Sequence, residues 1–128
     1  MKIGKYKLFS IETSEFSLDG GAMFGIITKV MWEKKALSDN LNRIKMVTRS
    51  LLLVSDSHKI LIDTGNGSKW TEKYFDLYNI DLSMFNIKSS LSKYGFTANE
   101  ITDVICTHLH FDHVGGNTIY HKDSLIPT

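Results

Sequence analysis

The sequence contains a single cysteine, Cys106, so no disulfide can form within the chain. A chain without disulfides fits a reducing compartment, so we expect a cytoplasmic protein. We expect Cys106 to fill space in the core as a small apolar residue. A long apolar run is also absent, because Ser10, Glu12 and Ser14 interrupt the segment that follows the N-terminal lysines. We therefore expect neither a signal peptide nor a membrane-spanning segment, and no membrane partner.

An excess of charge of one sign is missing as well. Fifteen basic residues stand against fourteen acidic ones, which gives a net charge of +1 without any basic block. Binding to a nucleic-acid backbone requires clustered cations, so we exclude nucleic acid as a partner. No repeat, low-complexity tract or linker divides the chain, and its 42% of hydrophobic residues suffices for one core. We expect a single domain over residues 1–128.

Potential metal ligands are concentrated in one short stretch with the spacing H-x-H-x-D-H: His108, His110, Asp112 and His113. Alternate residues of an extended chain share a face, so His108 and His110 point the same way and can hold one ion. The chain must turn next, which directs Asp112 and His113 towards a second ion. Imidazole and carboxylate suit Zn²⁺ and similar metals, and three protein ligands with an open position mark a catalytic centre. This density of ligands disfavours the alternative of surface histidines placed by chance.

The stretch resembles the signature of the metallo-β-lactamase-fold hydrolases, whose four motif positions it matches. The resemblance implies that His108 and His110 hold one metal ion and that Asp112 and His113 hold the other. Further segments are similar to the branch of N-acyl homoserine lactonases and related lactonases: Leu18–Gly25, Asn42–Ile44, Leu61–Gly65 and Ile101–Ile105.

This resemblance implies an α/β fold, a four-layer αββα sandwich made of two similar halves. Because 128 residues are too few for both halves, we expect the chain to be an N-terminal half. The resemblance also places three further ligands beyond Thr128: a histidine for the first metal, a bridging carboxylate and a histidine for the second metal. His121 follows His113 by only eight residues, too close to be the later histidine.

Three residues outside the motif are candidates for the same site. Asp63 closes an apolar strand, where it either caps its own turn or holds a metal-ligand imidazole by its other nitrogen. Met23 and Phe24 lie in an apolar loop between glycines, where they either fill the core or line an acyl-binding pocket. The resemblance favours the second role in both cases.

The resemblance implies hydrolysis of esters or lactones, such as the acyl homoserine lactones of quorum sensing, with two zinc ions as cofactors. Water between two cations loses a proton near neutral pH, and the hydroxide attacks the carbonyl. Asp112 is the candidate catalytic residue, which orients the hydroxide and protonates the leaving alkoxide. Phosphodiester or phosphotriester hydrolysis and an inactive metal-binding fragment stay open as alternatives. Alone, the chain is expected to be inactive and to pair through an uncovered apolar sheet face with its missing C-terminal half or a second copy.

Sequence periodicity predicts the order β, ββ, α, α, β, α. Strands are predicted over residues 5–16, 48–55, 58–63 and 101–107, the last of them buried and central. Helices are predicted over residues 70–78, 83–94 and from Gly115 to Tyr120, and a loop over residues 22–25. Ser83 is the predicted N-cap of the second helix, with Met84, Ile87, Leu91 and Tyr94 in the core. The segment Thr97–Glu100 has the form of a capping box.

Overall fold

The computed structural model describes all of residues 1–128, which form a mixed α/β structure, as predicted. Two short 3-10 turns, Ala98–Glu100 and Gly115–Asn117, accompany the regular elements. In chain order the strands and helices are β1 (Lys2–Ile3), β2 (Tyr6–Asp19), α1 (Gly20–Phe24), α2 (Lys29–Trp32), β3 (Arg43–Val54), β4 (Lys59–Ile62), α3 (Glu72–Tyr78), α4 (Ile87–Ser92), β5 (Asp103–Ile105), α5 (Phe111–Val114), β6 (Thr118–His121) and β7 (Ser124–Pro127).

Strands β1 to β5 form one sheet in chain order, with β1 to β4 antiparallel and β5 parallel to β4. A register shift between Glu12 and Ser14 puts an extra residue into β2, opposite β3. This β-bulge lets Thr13 and Ser14 both bring their hydroxyls to 2.6 Å from the hydroxyl of Thr48. Because β4 and β5 run parallel, their carboxyl ends lie at the same edge of the sheet.

The core lies where α4 packs on one face of this sheet. Ile11, Leu52 and Leu61 come from three neighbouring strands and meet Leu91 of α4, and all four side chains are at most 2% exposed. Burial of a leucine or isoleucine side chain stabilises a fold by about 1.5–3 kcal/mol, so these contacts fix α4 against the sheet.

The opposite face of the sheet also carries apolar side chains, because successive strand residues alternate between faces. None of the four that belong to β3 and β4 is fully buried: Leu51, Leu53, Ile60 and Ile62. This second apolar surface was predicted from the apolar runs of the two strands.

Helix α4 is shorter than the predicted helix over residues 83–94. Asn86 is the N-cap, since its side chain accepts a hydrogen bond from the Ser89 amide at 2.9 Å, so the prediction of Ser83 as N-cap is wrong. Leu91 is in the core and Ile87 packs against it, as predicted. Met84 and Tyr94 lie outside the helix and are 65% and 45% exposed, so their assignment to the core is wrong. The apolar spacing located the packed face but not the start of the helix.

Strand β5 is neither buried nor central, which corrects the prediction for residues 101–107. It covers only Asp103–Ile105 and forms the edge of the sheet, with β4 on one side. Val104 and Ile105 are about half exposed, at 48% and 51%. An apolar run predicts burial only where another layer covers it, and no element covers these residues here.

Two glycine-containing segments, residues 20–25 and 115–120, also differ from their predictions. Residues Gly20–Phe24 form the short helix α1 rather than a loop, because the Asp19 carboxylate accepts a hydrogen bond from the Ala22 amide at 2.7 Å. The predicted helix from Gly115 to Tyr120 is a 3-10 turn followed by the hairpin β6–β7. Lys122 and Asp123 form the tight turn of that hairpin, both with positive φ.

The remaining predicted elements are present, with shifted ends. Strands β2 and β3 overlap the predicted strands 5–16 and 48–55 but extend to Asp19 and begin at Arg43, whereas β4 is shorter than the predicted 58–63. Helix α3 begins at Glu72, two residues after the predicted start of the helix over residues 70–78. Thr97 and Glu100 form the capping box. No helix has the combination of length and apolar character needed to cross a lipid bilayer.

Candidate metal centre

The parallel strands β4 and β5 bring the two ligand-bearing segments together at one edge of the sheet. Asp63 directly follows β4, and its amide donates to the carbonyl of Ile105, the last residue of β5, at 2.9 Å. His108 and His110 occupy the connection after β5, and Asp112 and His113 belong to the short helix α5. Residues 50 positions apart in the sequence thereby become neighbours.

The four motif side chains lie side by side. The rings of His108 and His113 have centroids 4.0 Å apart, and those of His108 and His110 are 4.7 Å apart. His108 Nε2 is 3.1 Å from His110 Nδ1, and His113 Nε2 is 3.6 Å from Asp112 Oδ2. The donor atoms therefore form two pairs, one from the first two histidines and one from α5.

Each pair has the separation expected of two ligands on one ion. Ligands about 2.0–2.1 Å from a tetrahedral zinc ion lie about 3.4 Å from each other. The observed separations of 3.1 Å and 3.6 Å bracket this value, and the donor types are those that zinc prefers. No three His, Cys, Asp or Glu side chains of the chain surround a common point, so each pair is an incomplete coordination sphere by itself.

Asp63 contacts the motif directly. Its Oδ2 lies 2.8 Å from His113 Nδ1 and 2.8 Å from the Thr107 hydroxyl, and its Oδ1 accepts from the Thr107 amide at 2.8 Å. The carboxylate makes no hydrogen bond with the amides of its own turn. Its backbone has a φ of 60°, a conformation that aspartate tolerates better than most residues.

The charge state of Asp63 follows from these contacts. Burial alone would raise the pKa of its carboxyl group, but the hydrogen bonds from His113 and Thr107 outweigh it and hold that pKa below its usual value. A carboxylate only accepts hydrogen bonds, so His113 must carry its proton on Nδ1. The lone pair of His113 Nε2 is then directed towards Asp112.

Two backbone hydrogen bonds, which together form a latch, join the loop after β4 to α5 and to the segment that follows it. The Thr64 amide donates to the carbonyl of His113 at 2.7 Å, and the Gly116 amide donates to the carbonyl of Gly65 at 3.0 Å. A Cβ atom on Gly115 would overlap the carbonyl oxygen of Asn66, so only glycine permits this approach.

An open pocket of about 240 Å³ adjoins Asp112 and His113. It lies against β2 and β3, and its lining includes Phe16, Met46 and Val47 together with the carboxylate of Asp63. An aromatic cluster flanks the motif, in which Phe111 stacks on Tyr78 at 4.5 Å and meets Phe16 and Trp70 edge to face. Sequence reasoning missed this cluster, since nothing in the spacing of these aromatics links them.

The structure also shows the surroundings of Met23, Phe24, Cys106 and His121. Met23 is about half exposed, and Phe24 stacks on Trp32 with ring centroids 5.1 Å apart; neither lines the pocket beside Asp112. Cys106 accepts a hydrogen bond from the Asn117 amide group at 3.2 Å. His121 is exposed on β6.

Comparison with known proteins links this arrangement to one family. The family model described as the metallo-beta-lactamase superfamily matches residues 45–124. N-acyl homoserine lactonase AiiB of Agrobacterium fabrum (strain C58) is 27% identical over an alignment 128 positions long, which covers 94% of this chain and 46% of the relative. The chain thus spans about half the length of that curated relative.

Two solved structures are similar both in sequence and in fold. A probable metal-dependent hydrolase from Staphylococcus aureus is 34% identical with a TM-score of 0.82, and the match covers 92% of this chain and 43% of that one. AidC, a dizinc quorum-quenching lactonase in complex with a product, N-hexanoyl-L-homoserine, is 30% identical with a TM-score of 0.64. That match covers 91% of this chain and 37% of AidC.

Proposed function

Because the chain belongs to the metallo-beta-lactamase superfamily, we propose that it supplies part of the metal site of a hydrolase that opens lactones and cleaves related esters. Two pairs of donor atoms carry this proposal: His108 Nε2 with His110 Nδ1, and His113 Nε2 with Asp112 Oδ2. Each pair would hold one zinc ion. The ligands that complete both coordination spheres would come from outside the four motif residues.

The chemistry that a pair of zinc ions supplies is Lewis acidity, which acidifies water and polarises a carbonyl group. The residues of the chain would orient the metal ligands and transfer protons near the metal ions. Asp63 holds the His113 ring through Nδ1, so that Nε2 keeps its lone pair for a metal. Asp112 faces His113 through Oδ2, which leaves Oδ1 to take a proton from the attacking water and to return it to the leaving alkoxide.

A small neutral substrate suits the lining of the pocket. The arginine that lines it, Arg49, already has an anionic partner, because it pairs with Glu12 at 2.8 Å. A phosphodiester would need free cations there, whereas an uncharged lactone does not. AidC was solved with N-hexanoyl-L-homoserine, and we extend that acyl homoserine lactone chemistry to this protein. The sequence resemblance alone supports Met23 and Phe24 as contacts to the acyl chain, since neither residue lines the pocket beside Asp112. A cytoplasmic location belongs to the same proposal.

Zinc titration of the purified chain tests the metal part of the proposal. Isothermal calorimetry should detect zinc binding that His108→Ala and Asp112→Ala each weaken. His58→Ala is the matched control, because His58 lies exposed in the turn between β3 and β4. Absence of zinc binding, or equal binding by all variants, would contradict the proposal.

The hydrolytic part requires a completed site. Joined to a downstream segment that supplies two histidines and a carboxylate, the chain should open acyl homoserine lactones in a chelator-sensitive reaction. The chain by itself should be inactive. A pH-indicator assay of ring opening measures both, and chelator-sensitive hydrolysis by the monomeric chain would contradict the division of the site.

A further inference from the structure

Thr107 occupies a central place among the motif side chains. Its hydroxyl oxygen lies 2.8 Å from Asp63 Oδ2 and 3.0 Å from His108 Nδ1. The same oxygen is 3.4 Å from His113 Nδ1, beyond the usual length of a hydroxyl hydrogen bond. Thr107 thus links the carboxylate after β4 to the first histidine of the motif.

Counting hydrogens gives these contacts a direction. A threonine hydroxyl has one hydrogen to donate, and a carboxylate has none. At 2.8 Å from Asp63 Oδ2, the hydroxyl must donate to the carboxylate, because two oxygens at that distance without a hydrogen between them repel each other. The hydroxyl oxygen can therefore only accept from His108, whose proton must lie on Nδ1.

We propose that Thr107 is a positioning residue that fixes the tautomer of His108, with the proton on Nδ1 and the lone pair on Nε2. His108 Nε2 lies 3.1 Å from His110 Nδ1 and forms the first donor pair with it. The fixed tautomer therefore keeps a lone pair on the atom that His108 contributes to this pair. The value of this tautomer for metal binding rests on the proposed function; the tautomer itself does not.

The Asp63 carboxylate then determines the tautomers of two histidines, which belong to different donor pairs. Asp63 acts on His113 directly and on His108 through the Thr107 hydroxyl. Loss of the hydroxyl should release His108 and leave His113 unchanged. A general loosening of the loop would instead affect both rings, so the two effects are distinguishable.

Thr107→Val is the test variant, because valine keeps the shape of threonine. The hydrogen bond that the backbone amide of residue 107 donates to Asp63 Oδ1 also survives. Thr107→Ser restores the hydroxyl. Thr102→Val is the matched control: the Thr102 hydroxyl also donates to a carboxylate, Asp103 Oδ2 at 2.6 Å, but it contacts none of the histidines.

The experiment is ¹⁵N NMR of the imidazole nitrogens in the metal-free chain at about pH 8, where an unperturbed imidazole is neutral. In the unmodified protein, in Thr107→Ser and in Thr102→Val, His108 should be protonated on Nδ1. In Thr107→Val the proton should move to Nε2 of His108, while His113 keeps its proton on Nδ1. A proton on Nε2 of His108 in the unmodified protein, or no change in Thr107→Val, would overturn the inference.

Zinc titration of the same variants provides the second readout. Thr107→Val should lower zinc affinity about 10- to 100-fold, the range typical for loss of a hydrogen bond to a metal ligand, and Thr107→Ser should restore it. If the unmodified chain binds no zinc, the proposed function fails while the tautomer result stands. If Thr107→Val keeps full zinc affinity, Thr107 does not position a metal ligand and that part of the inference is overturned.

Discussion

His113 donates the hydrogen on its Nδ1 to Asp63 Oδ2 across 2.8 Å, although the two residues lie 50 positions apart in the sequence. The bond leaves Nε2 of His113 as the free donor atom next to Asp112. It also gives the buried Asp63 carboxylate a role at the motif rather than in its own turn.

Asp63→Asn should lower zinc affinity about 10- to 100-fold, because the amide cannot accept all three hydrogen bonds that the carboxylate accepts. Asparagine is preferred to alanine here, since it tolerates the φ of 60° at this position and so avoids backbone strain. Calorimetric titration gives the affinity, with Asp56→Asn in the exposed β3–β4 turn as control. Unchanged affinity in Asp63→Asn would refute the role of this residue.

Gly115→Ala should destabilise the fold by about 1–3 kcal/mol, the usual cost of forcing extra volume into a packed site. The added Cβ atom would overlap the carbonyl of Asn66, which the latch between the two loops holds in place. Gly21→Ala is the control, because its nearest neighbour is the movable Asp19 carboxylate at 3.0 Å. Urea unfolding measures both, and similar midpoints for the two variants would contradict the prediction.

Leu91→Ala should cost about 2–5 kcal/mol, because it opens a cavity where α4 meets three strands. Met84→Ala, only seven residues earlier but 65% exposed, should change stability little. The comparison in urea tests where the core-facing part of this segment begins. A large loss in Met84→Ala would place the start of the packed helix earlier than Asn86.

Acid should weaken the cap of α1. The Asn42 side chain and the Ala22 amide both donate to the Asp19 carboxylate and hold its pKa below the usual value. This contribution is complete above the unfolded value of about 3.9 and is lost as the pH falls through the lower, folded value. The stability difference between the unmodified chain and Asp19→Asn should therefore narrow on acidification from about pH 5 to below pH 3. Urea unfolding at each pH gives the difference, and a constant difference would contradict this account.

The uncovered face of the sheet should make the isolated chain associate at high concentration. Ile105 is 51% exposed on the edge strand β5, beside the partly buried Ile62 of β4. Ile105→Lys should shift sedimentation velocity profiles towards monomer. Ile26→Lys, at a fully exposed position away from the sheet, should not. A chain that stays monomeric at all concentrations would show that the apolar face is not adhesive.

Local sequence signals predicted much of this fold. Alternation of apolar and polar residues located β2, and the capping box at Thr97 and Glu100 formed where its pattern indicated. The family resemblance is confirmed by the match over residues 45–124. The spacing of the four motif residues, all within six positions, also predicted that their side chains lie together. This prediction was possible because their proximity depends on one short turn.

The errors arose where the structure depends on distant parts of the chain. The burial of β5 could not be read from Val104 and Ile105, because it depends on which layers cover the strand. Thr107 was overlooked because its role appears only when Asp63, 44 positions earlier, lies beside it. Similarly, the contact of Gly115 with the Asn66 carbonyl joins residues 49 positions apart, so it becomes evident only in three dimensions.

The parallel pairing of β4 with β5 has a consequence for how the chain folds. Parallel strands need a long crossover, and here it comprises α3 and α4, so the pairing is a non-local contact of the kind that forms slowly. The contact of His113 with Asp63 depends on this pairing, because the pairing brings the ends of β4 and β5 to the same edge. During refolding, the chain should therefore become able to bind metal at the same time as β4 pairs with β5. An ion bound at this site would stabilise the folded state and raise the midpoint of unfolding.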